Sequence, residues 1–323
     1  MINAKNQLTS SFSLDIDTNK NVAAHSFNSV LKKHHSNRIS QLLNYLPFFN
    51  KNNPVINVLR LNGVIGKVSS LKSGLSLDNL NELIEKAFTT PKVSAVCLSV
   101  NSPGGSPVQS ELIASRIINL AKEKKIPVYS FVEDVAASGG YWLACAGDEI
   151  YASKSSILGS IGVVSSGFGF EEAIHRLGIE RRVYSEGKNK VVLDPFQPAK
   201  AQDVKLIKNI QSLIHQHFID HVKQRRAGRL TQNDDILFNG EFWPGTIAHD
   251  YGLIDGIEDM HSFIRRKFGV DAKINYIEGK QSWFKKKLGI TTGEITHELT
   301  HEITKAVFDV CEQKLLENRF NFK

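Results

Sequence analysis

Long apolar runs and paired cysteines are both missing from this sequence. No stretch reaches the roughly 18 consecutive apolar residues that a helix needs to cross a bilayer. Only three cysteines occur (Cys97, Cys145 and Cys311), and none is part of a CxxC pair, so neither a disulfide framework nor a zinc knuckle is indicated. Residues 1–33 are rich in Ser, Asn and Lys and lack the apolar core of a signal peptide. We therefore expect a cytoplasmic protein in a reducing compartment.

The charge is not concentrated on one part of the chain. Forty Lys and Arg against 33 Asp and Glu leave a net charge of +7, which is spread over 323 residues. A surplus of this size is typical of a solvated surface, so we expect no nucleic-acid partner. The apolar stretch 39–49 follows Lys32, Lys33 and Arg38 and is too short to span a membrane. It is compatible with peripheral membrane contact, although packing against protein explains it more simply.

The pattern of apolar residues predicts three regions. Residues 1–52 form an N-terminal arm that is poorly ordered or interfacial, 53–268 an α/β domain, and 269–323 a C-terminal extension with an amphipathic helix at about 294–316. In the central region, strand-like and helical patterns alternate, which favours parallel strands joined by helices. The predicted strands are 55–61, 93–100, 128–132 and 149–153, and a loop is predicted at 133–137. The predicted helices are 77–87, 107–124, a short one ending at 145, and 201–226.

Two glycine-rich loops follow consecutive predicted strands. One contains Gly104 and Gly105, and the other places Ser138 before Gly139 and Gly140 at the start of a helix. The carboxyl ends of parallel strands meet at one edge of a sheet, so we expect the loops to be neighbours. Exposed backbone N–H groups suit an oxyanion or a phosphate, and a serine at a helix start suits a nucleophile. Either loop alone is explained by a turn or a helix cap, but the pair favours a nucleophile with an oxyanion hole.

Several motifs together give a resemblance to a known family. The chain resembles the signal peptide peptidase A family, also called protease IV, which includes SohB-type members. The resemblance covers about residues 55–265, and the motifs that carry it, in order, are Asn-Ser-Pro-Gly-Gly (101–105), Ala-Ser-Gly-Gly-Tyr (137–141), Gly-Ser-Ile-Gly-Val (159–163), Glu-Gly-Lys-Asn-Lys (186–190), Leu-Asp-Pro-Phe (193–196), Trp-Pro-Gly (243–245) and Gly-Leu-Ile-Asp-Gly (252–256).

The resemblance implies a fold, an activity and partners. The fold would be crotonase/Clp-like, with repeated β-β-α units and parallel strands. The protein would be a bacterial-type serine endopeptidase that hydrolyses signal-peptide remnants or membrane-associated protein fragments. It would use no cofactor and no metal, and it would assemble as a homo-oligomer with peptide substrates as its other partners.

The same resemblance implies a catalytic role for five residues. Ser138 would be the nucleophile and Lys190 its general base, with the N–H groups of Gly105 and Gly139 as the oxyanion hole and Ser160 supporting the lysine. A lysine in water titrates near ~10.4, so a lysine base at neutral pH must lose roughly three units through burial. Lys188, two residues earlier, could also act as the base on chemistry alone, but the spacing of the family motif favours Lys190.

The segment His297-Glu298-Leu-Thr-His301 matches the HExxH motif of zinc peptidases. Such a motif puts two histidines one helical turn apart, with a glutamate as base. Only 22 residues follow it, and it lies outside the region with the glycine loops. The polar face of a C-terminal helix explains the pattern without zinc.

Three further alternatives stay open. A Ser-His-Asp arrangement would need a histidine such as His175, which lies in a stretch with helical spacing. An acyl-CoA enzyme of the crotonase type would need an acid/base carboxylate, for which Glu133 and Asp134 are candidates. A catalytically inactive scaffold with the same fold is the third, and the intact Ser138 argues against it.

Overall fold

The computed structural model describes residues 53–66 and 74–278. The N-terminal arm and most of the C-terminal extension lie outside the described residues, as do the predicted helix at 294–316 and the segment His297–His301. The three predicted regions therefore stay predictions.

The described residues form an eight-stranded mixed sheet. The strands are β1 (Val55–Asn62), β2 (Val93–Ser102), β3 (Val128–Ala137), β4 (Glu149–Ala152), β5 (Ile157–Gly159), β6 (Phe242–Pro244), β7 (Gly256–Ile257) and β8 (Lys273–Tyr276). They run in the order β6-β5-β3-β2-β1-β8, and β4 branches from β3 and pairs with β7. The pairing is parallel except between β5 and β6. The predicted α/β fold with mostly parallel strands is confirmed.

Helices cover both faces of this sheet. They are α1 (Leu77–Thr89), α2 (Pro107–Lys124), α3 (Gly139–Ala144), α4 (Glu171–Arg176), α5 (Ala201–Arg225), α6 (Asp234–Leu237), α7 (Gly245–Asp250) and α8 (Met260–Phe268). The main core lies between the sheet and α1, α2, α3 and the C-terminal end of α5. A smaller, aromatic-rich core lies under α8 on the opposite face. No helix of the described part is both long and apolar enough to cross a membrane.

The bounds of α2 follow from local signals in the sequence. Ser106 caps its N-terminus by accepting a hydrogen bond from the N–H of Gln109, and Pro107 occupies a first-turn position where no backbone donor is needed. Lys125 ends the helix in a left-handed conformation. The predicted helix 107–124 is confirmed.

The prediction for residues 133–137 is wrong. We expected a loop there, but β3 continues to Ala137. Its first half pairs with β4, and its second half pairs with β5 through Val135–Ile157 and Ala137–Gly159. The partner lies about 20 residues further along the chain, so no local pattern signals it. The longer strand carries the chain directly to Ser138.

Candidate active site

Ser138 lies at the junction of β3 and α3 in an unusual backbone conformation. Its φ of 53° and ψ of −124° fall in a region that non-glycine residues rarely adopt. The neighbours hold it there: its N–H donates to the carbonyl of Gly159 (2.8 Å), and its carbonyl accepts from the N–H groups of Tyr141 (2.9 Å) and Trp142 (3.1 Å). Strained backbone that is over-determined in this way is concentrated at functional sites.

The first glycine loop packs against the second. Ile65 pairs with this loop on its other side, donating its N–H to the carbonyl of Gly104 and accepting the N–H of Ser106, both at 2.9 Å. A side chain at Gly105 would overlap the carbonyl of Ile65, and a Cβ at Gly104 would lie 2.9 Å from the backbone nitrogen of Gly139. Only glycines allow this approach. The expectation that the two loops are neighbours is confirmed.

Two backbone donors lie beside Ser138. Across residues 53–66 and 74–278, the N–H groups of Gly105 and Gly139 make no hydrogen bond. Both glycines line a narrow pocket together with Ser138. The apolar walls of this pocket are Pro107, Trp142, Val163, Ile214 and Phe218. Unpaired N–H groups next to a hydroxyl, in a site walled by apolar groups, can stabilise an oxyanion that forms when the hydroxyl attacks a carbonyl.

Ser160 lies close to the nucleophile along the backbone. It directly follows Gly159, whose carbonyl holds the Ser138 N–H, and it too has a positive φ, of 51°. Its own N–H donates to the carbonyl of Glu241 at 2.7 Å, which ties this turn to the segment before β6. The structure therefore places Ser160 at the edge of the site, while its role toward a lysine stays a prediction.

Lys190 is positioned differently from the other four predicted residues. It lies in the largely exposed segment 163–200, and its N–H closes a turn on the carbonyl of Gly187 at 3.0 Å. It is exposed and does not line the pocket of Ser138; the same holds for Lys188. One copy of the chain thus brings together the serine, the two glycines and Ser160, but leaves the predicted base exposed and outside the pocket.

Helix α5 connects the lysine segment to the nucleophile helix. Arg225 near its C-terminus donates to the carbonyls of Cys145 (2.8 Å) and Gly147 (3.0 Å), just beyond α3. One turn earlier, the Nε2–H of His221 donates to the carbonyl of Trp142 (3.3 Å), and the two rings stack 4.9 Å apart. A cation at the carboxyl end of a helix is stabilising. The spacing of His217 and His221, one helical turn apart, predicts a solvated helix face, and the packing of His221 on Trp142 shows that this prediction is wrong for His221. Nothing in the sequence signals the role of Arg225, because only the tertiary contact gives it one.

His221 predicts a specific acid sensitivity of folding. Burial lowers its pKa from the usual 6.5 to about 4. As the pH falls from 6.5 toward 4, His221 becomes protonated in the unfolded chain but stays neutral in the folded chain. The contribution of the neutral His221 to the unfolding free energy is therefore fully present above pH 6.5 and is lost as the pH falls below it. Wild type should therefore lose about 2 to 3 kcal/mol more unfolding free energy between pH 7 and pH 4.5 than His221→Gln.

Urea unfolding at the two pH values measures this difference. The carboxylates titrate in both proteins, so their contributions cancel in the comparison. Equal losses in the two proteins would contradict the prediction.

The residues of the alternative mechanisms lie elsewhere. His175 is exposed on α4. Glu133 accepts a hydrogen bond from Ser99, Asp134 accepts one from Asn101, and neither carboxylate lines the pocket of Ser138. Within the described ranges, no group of three or more His, Cys, Asp or Glu side chains could hold a metal ion.

The two described cysteines are not candidate nucleophiles. Cys97 and Cys145 are buried thiols. Burial raises the pKa of each to about 12, so both stay protonated at neutral pH. A protonated thiol is a poor nucleophile, which leaves Ser138 as the nucleophile candidate in this pocket.

Comparison with known proteins gives one family and several relatives. The model of peptidase family S49 matches residues 120–272. A probable protease SohB of Buchnera aphidicola subsp. Schlechtendalia chinensis is 30% identical over 218 residues, which are 67% of this chain and 68% of that protein. A putative signal peptide peptidase SppA of Enterococcus faecium is 31% identical over 205 residues, 62% of this chain and 58% of that protein.

A more similar relative has a different name. The Na(+)/H(+) antiporter NhaA of Brucella abortus (strain 2308) is 52% identical over 244 residues, which are 74% of this chain but 33% of the antiporter. This chain therefore spans about a third of the length of that relative.

Proposed function

Because this chain belongs to peptidase family S49, we propose that it is a serine-type endopeptidase with Ser138 as nucleophile and Lys190 as general base. The observation that carries the proposal is the pocket in which Ser138 meets the unpaired N–H groups of Gly105 and Gly139. A strained serine beside two such donors is suited to acyl transfer from a peptide.

The chemistry follows from the roles of these groups. The neutral amine of Lys190 accepts the proton of the Ser138 hydroxyl as its Oγ attacks the peptide carbonyl. The N–H groups of Gly105 and Gly139 stabilise the negative oxygen of the tetrahedral intermediate. The protonated lysine then donates to the leaving amine, and water hydrolyses the acyl-enzyme by the same route in reverse.

A second copy of the chain would supply the environment that the lysine needs. A lysine base must lose roughly three pKa units, a cost of about 4 kcal/mol that requires burial, yet Lys190 is exposed in one copy. Its segment also carries large exposed apolar side chains, among them Phe168 (74%), Leu177 (73%) and Tyr184 (91%). Such a surface marks an interface. We propose a homo-oligomer in which this segment covers the Ser138 pocket of a neighbouring copy.

Helix α5 supports the same arrangement. It has 25 residues, but its buried ones are Phe218 and Val222, both near its C-terminal end. Residues 201–212 of this helix include no buried residue, and Leu213 at its middle is 64% exposed. A helix with an apolar side chain left in solvent gains stability when another copy covers it.

The pocket beside Ser138 favours substrates with small or slender apolar side chains. Its walls carry no charged residue, and Trp142 and Phe218 stack 4.8 Å apart along one side. An apolar segment of a peptide, such as a signal-peptide remnant or a membrane-associated protein fragment, is the substrate class with this chemistry. The name of the Enterococcus faecium relative agrees with this class.

Labelling with a serine-reactive phosphonate ester tests the proposed chemistry. The serine oxygen displaces the leaving group at phosphorus, so we expect one label per chain, on the peptide that contains Ser138, and loss of hydrolysis in proportion. EDTA should leave hydrolysis intact. A label elsewhere, or hydrolysis that EDTA removes and zinc restores, would contradict the proposal and favour a zinc site that includes His297 and His301. Absence of both label and hydrolysis would favour the inactive scaffold.

A further inference from the structure

The exposed segment 163–200 contains one buried carboxylate. The side chain of Asp194 is 3% exposed, and a buried carboxylate is unfavourable unless its oxygens are paired. Both oxygens have partners: Oδ1 accepts the N–H of Phe196 and Oδ2 accepts the Nε–H of Arg181, each at 3.1 Å. The segment therefore has a defined internal anchor, although most of its surface faces solvent.

Arg181 joins distant parts of this segment. Besides its ion pair with Asp194, its guanidinium lies 4.9 Å from the centre of the Phe196 ring. That ring packs 5.6 Å from Phe170, and the N–H of Phe170 donates to the carbonyl of Pro195 at 2.6 Å. The arginine, the carboxylate and the two aromatic rings form a small cluster that holds the start and the end of the segment together.

The predicted base lies close to this anchor along the chain. Lys190 precedes Asp194 by four residues, and the intervening Leu193 donates its N–H to a carboxylate oxygen of Asp203 (3.2 Å) in the first turn of α5. Three residues of extended chain span about 10 Å at most. The backbone of Lys190 is therefore confined between its own turn at Gly187 and two carboxylate anchors.

The anchors also connect to the nucleophile. Asp203 belongs to α5, and the other end of that helix is attached to α3 through Arg225 and His221. A single helix thus attaches the lysine segment to the body of its own copy, from which the segment can be held over the Ser138 pocket of a neighbouring copy. Loosening the Asp194 anchor would release the lysine without changing the serine or its oxyanion donors.

The neighbouring ion pair has none of these features. Arg182 pairs with Glu180 at 2.7 Å, but both side chains are about two-thirds exposed (68% and 71%). Exposed pairs of this kind contribute little. Arg182 is therefore a matched control for Arg181: the same residue type, one position away, in an ion pair that anchors nothing.

We propose that Arg181, acting through Asp194, is a positioning residue that holds Lys190 in place for proton transfer. The proposal rests on the proposed function, in which Lys190 is the base. Arg181 does not touch the reacting atoms. Its contribution is geometric, and a displacement of about 1 Å in a catalytic group can lower a rate by about 100-fold.

Steady-state kinetics of Arg181→Ala, Asp194→Asn and Arg182→Ala in the full-length chain test this. We expect kcat to fall about 10- to 100-fold in the first two, with KM changed less than about twofold, and both parameters to stay within about twofold of wild type in Arg182→Ala. Asp194→Asn keeps an oxygen for the Phe196 N–H but removes the charge that holds Arg181. The double variant should be no worse than either single one, because the two residues act as a unit.

The pH profile separates positioning from a general loss of structure. A lysine that moves into solvent keeps its proton to higher pH, so the acid limb of kcat/KM should shift upward in Arg181→Ala and part of the activity should return at alkaline pH. Arg181→Lys, which keeps the charge, should recover part of the loss. A uniformly lowered profile with an unshifted acid limb would overturn the proposal, as would kcat values no lower than that of Arg182→Ala.

The same kinetic assay, applied to Lys190→Ala, distinguishes a wrong assignment of the base from a wrong positioning role. If Lys190→Ala retains activity, the assignment of the base is wrong. If Lys190→Ala is inactive while Arg181→Ala and Asp194→Asn match Arg182→Ala, Lys190 remains the base and only the positioning role of Arg181 is rejected.

Discussion

Replacement of Ser138 by alanine is expected to abolish peptide hydrolysis while leaving the thermal midpoint of unfolding nearly unchanged. The hydroxyl is the attacking group in the proposed reaction, and its loss should lower kcat by about 10⁴-fold or more. The fold should tolerate the change, because the contacts that hold this position are made by backbone atoms, through the Ser138 N–H and carbonyl. Alanine is slightly smaller than serine and leaves these bonds intact.

Activity and thermal denaturation are measured on the same preparation. Ser212→Ala, at an exposed position on α5, is the control for a serine-to-alanine change without a catalytic role and should match wild type in both. If Ser138→Ala keeps more than a few per cent of wild-type activity while Ser212→Ala behaves normally, another group is the nucleophile.

Replacement of Lys190 by alanine should be about as damaging as loss of the serine. Residues that act as one unit are not additive, so the Ser138→Ala, Lys190→Ala double variant should be no less active than either single variant. Lys188→Ala is the matched control, since Lys188 is also an exposed lysine of the same segment, and it should retain activity. An inactive Lys188→Ala beside an active Lys190→Ala would reassign the base.

Mixing the two inactive variants tests whether the dyad is shared between copies. A Lys190→Ala chain has an intact serine and a Ser138→Ala chain an intact lysine, so a site built from both copies can be complete. With random assembly of equal amounts after dissociation, about one site in four should combine the two intact residues, giving roughly a quarter of wild-type activity. No recovery from a mixture that has demonstrably reassembled would mean that each copy uses its own lysine.

Local signals made several elements predictable from the sequence. The helix 107–124 was predicted from its apolar periodicity, and its ends carry a serine cap and a proline at one side and a left-handed lysine at the other. The glycine loops were equally visible, because the conformations at Gly104 and Gly105 exclude side chains. In contrast, the continuation of β3 through residues 133–137 depends on pairing with β5, and that partner is not evident from the residues themselves.

The sequence by itself determined the alternation of strands and helices, and with it the parallel α/β fold and the position of Ser138 after a strand and before a helix. These features depend on residues that are close along the chain, where periodicity and glycine content report the conformation. The tertiary structure alone decided that Gly104 contacts Gly139, that Arg225 attaches α5 to α3, and that Lys190 is exposed and lies outside the Ser138 pocket in one copy. Each of these is a relation between distant segments, or between a segment and the solvent around it. Such relations depend on which surfaces pack together, and the order of residues along one segment does not contain that information.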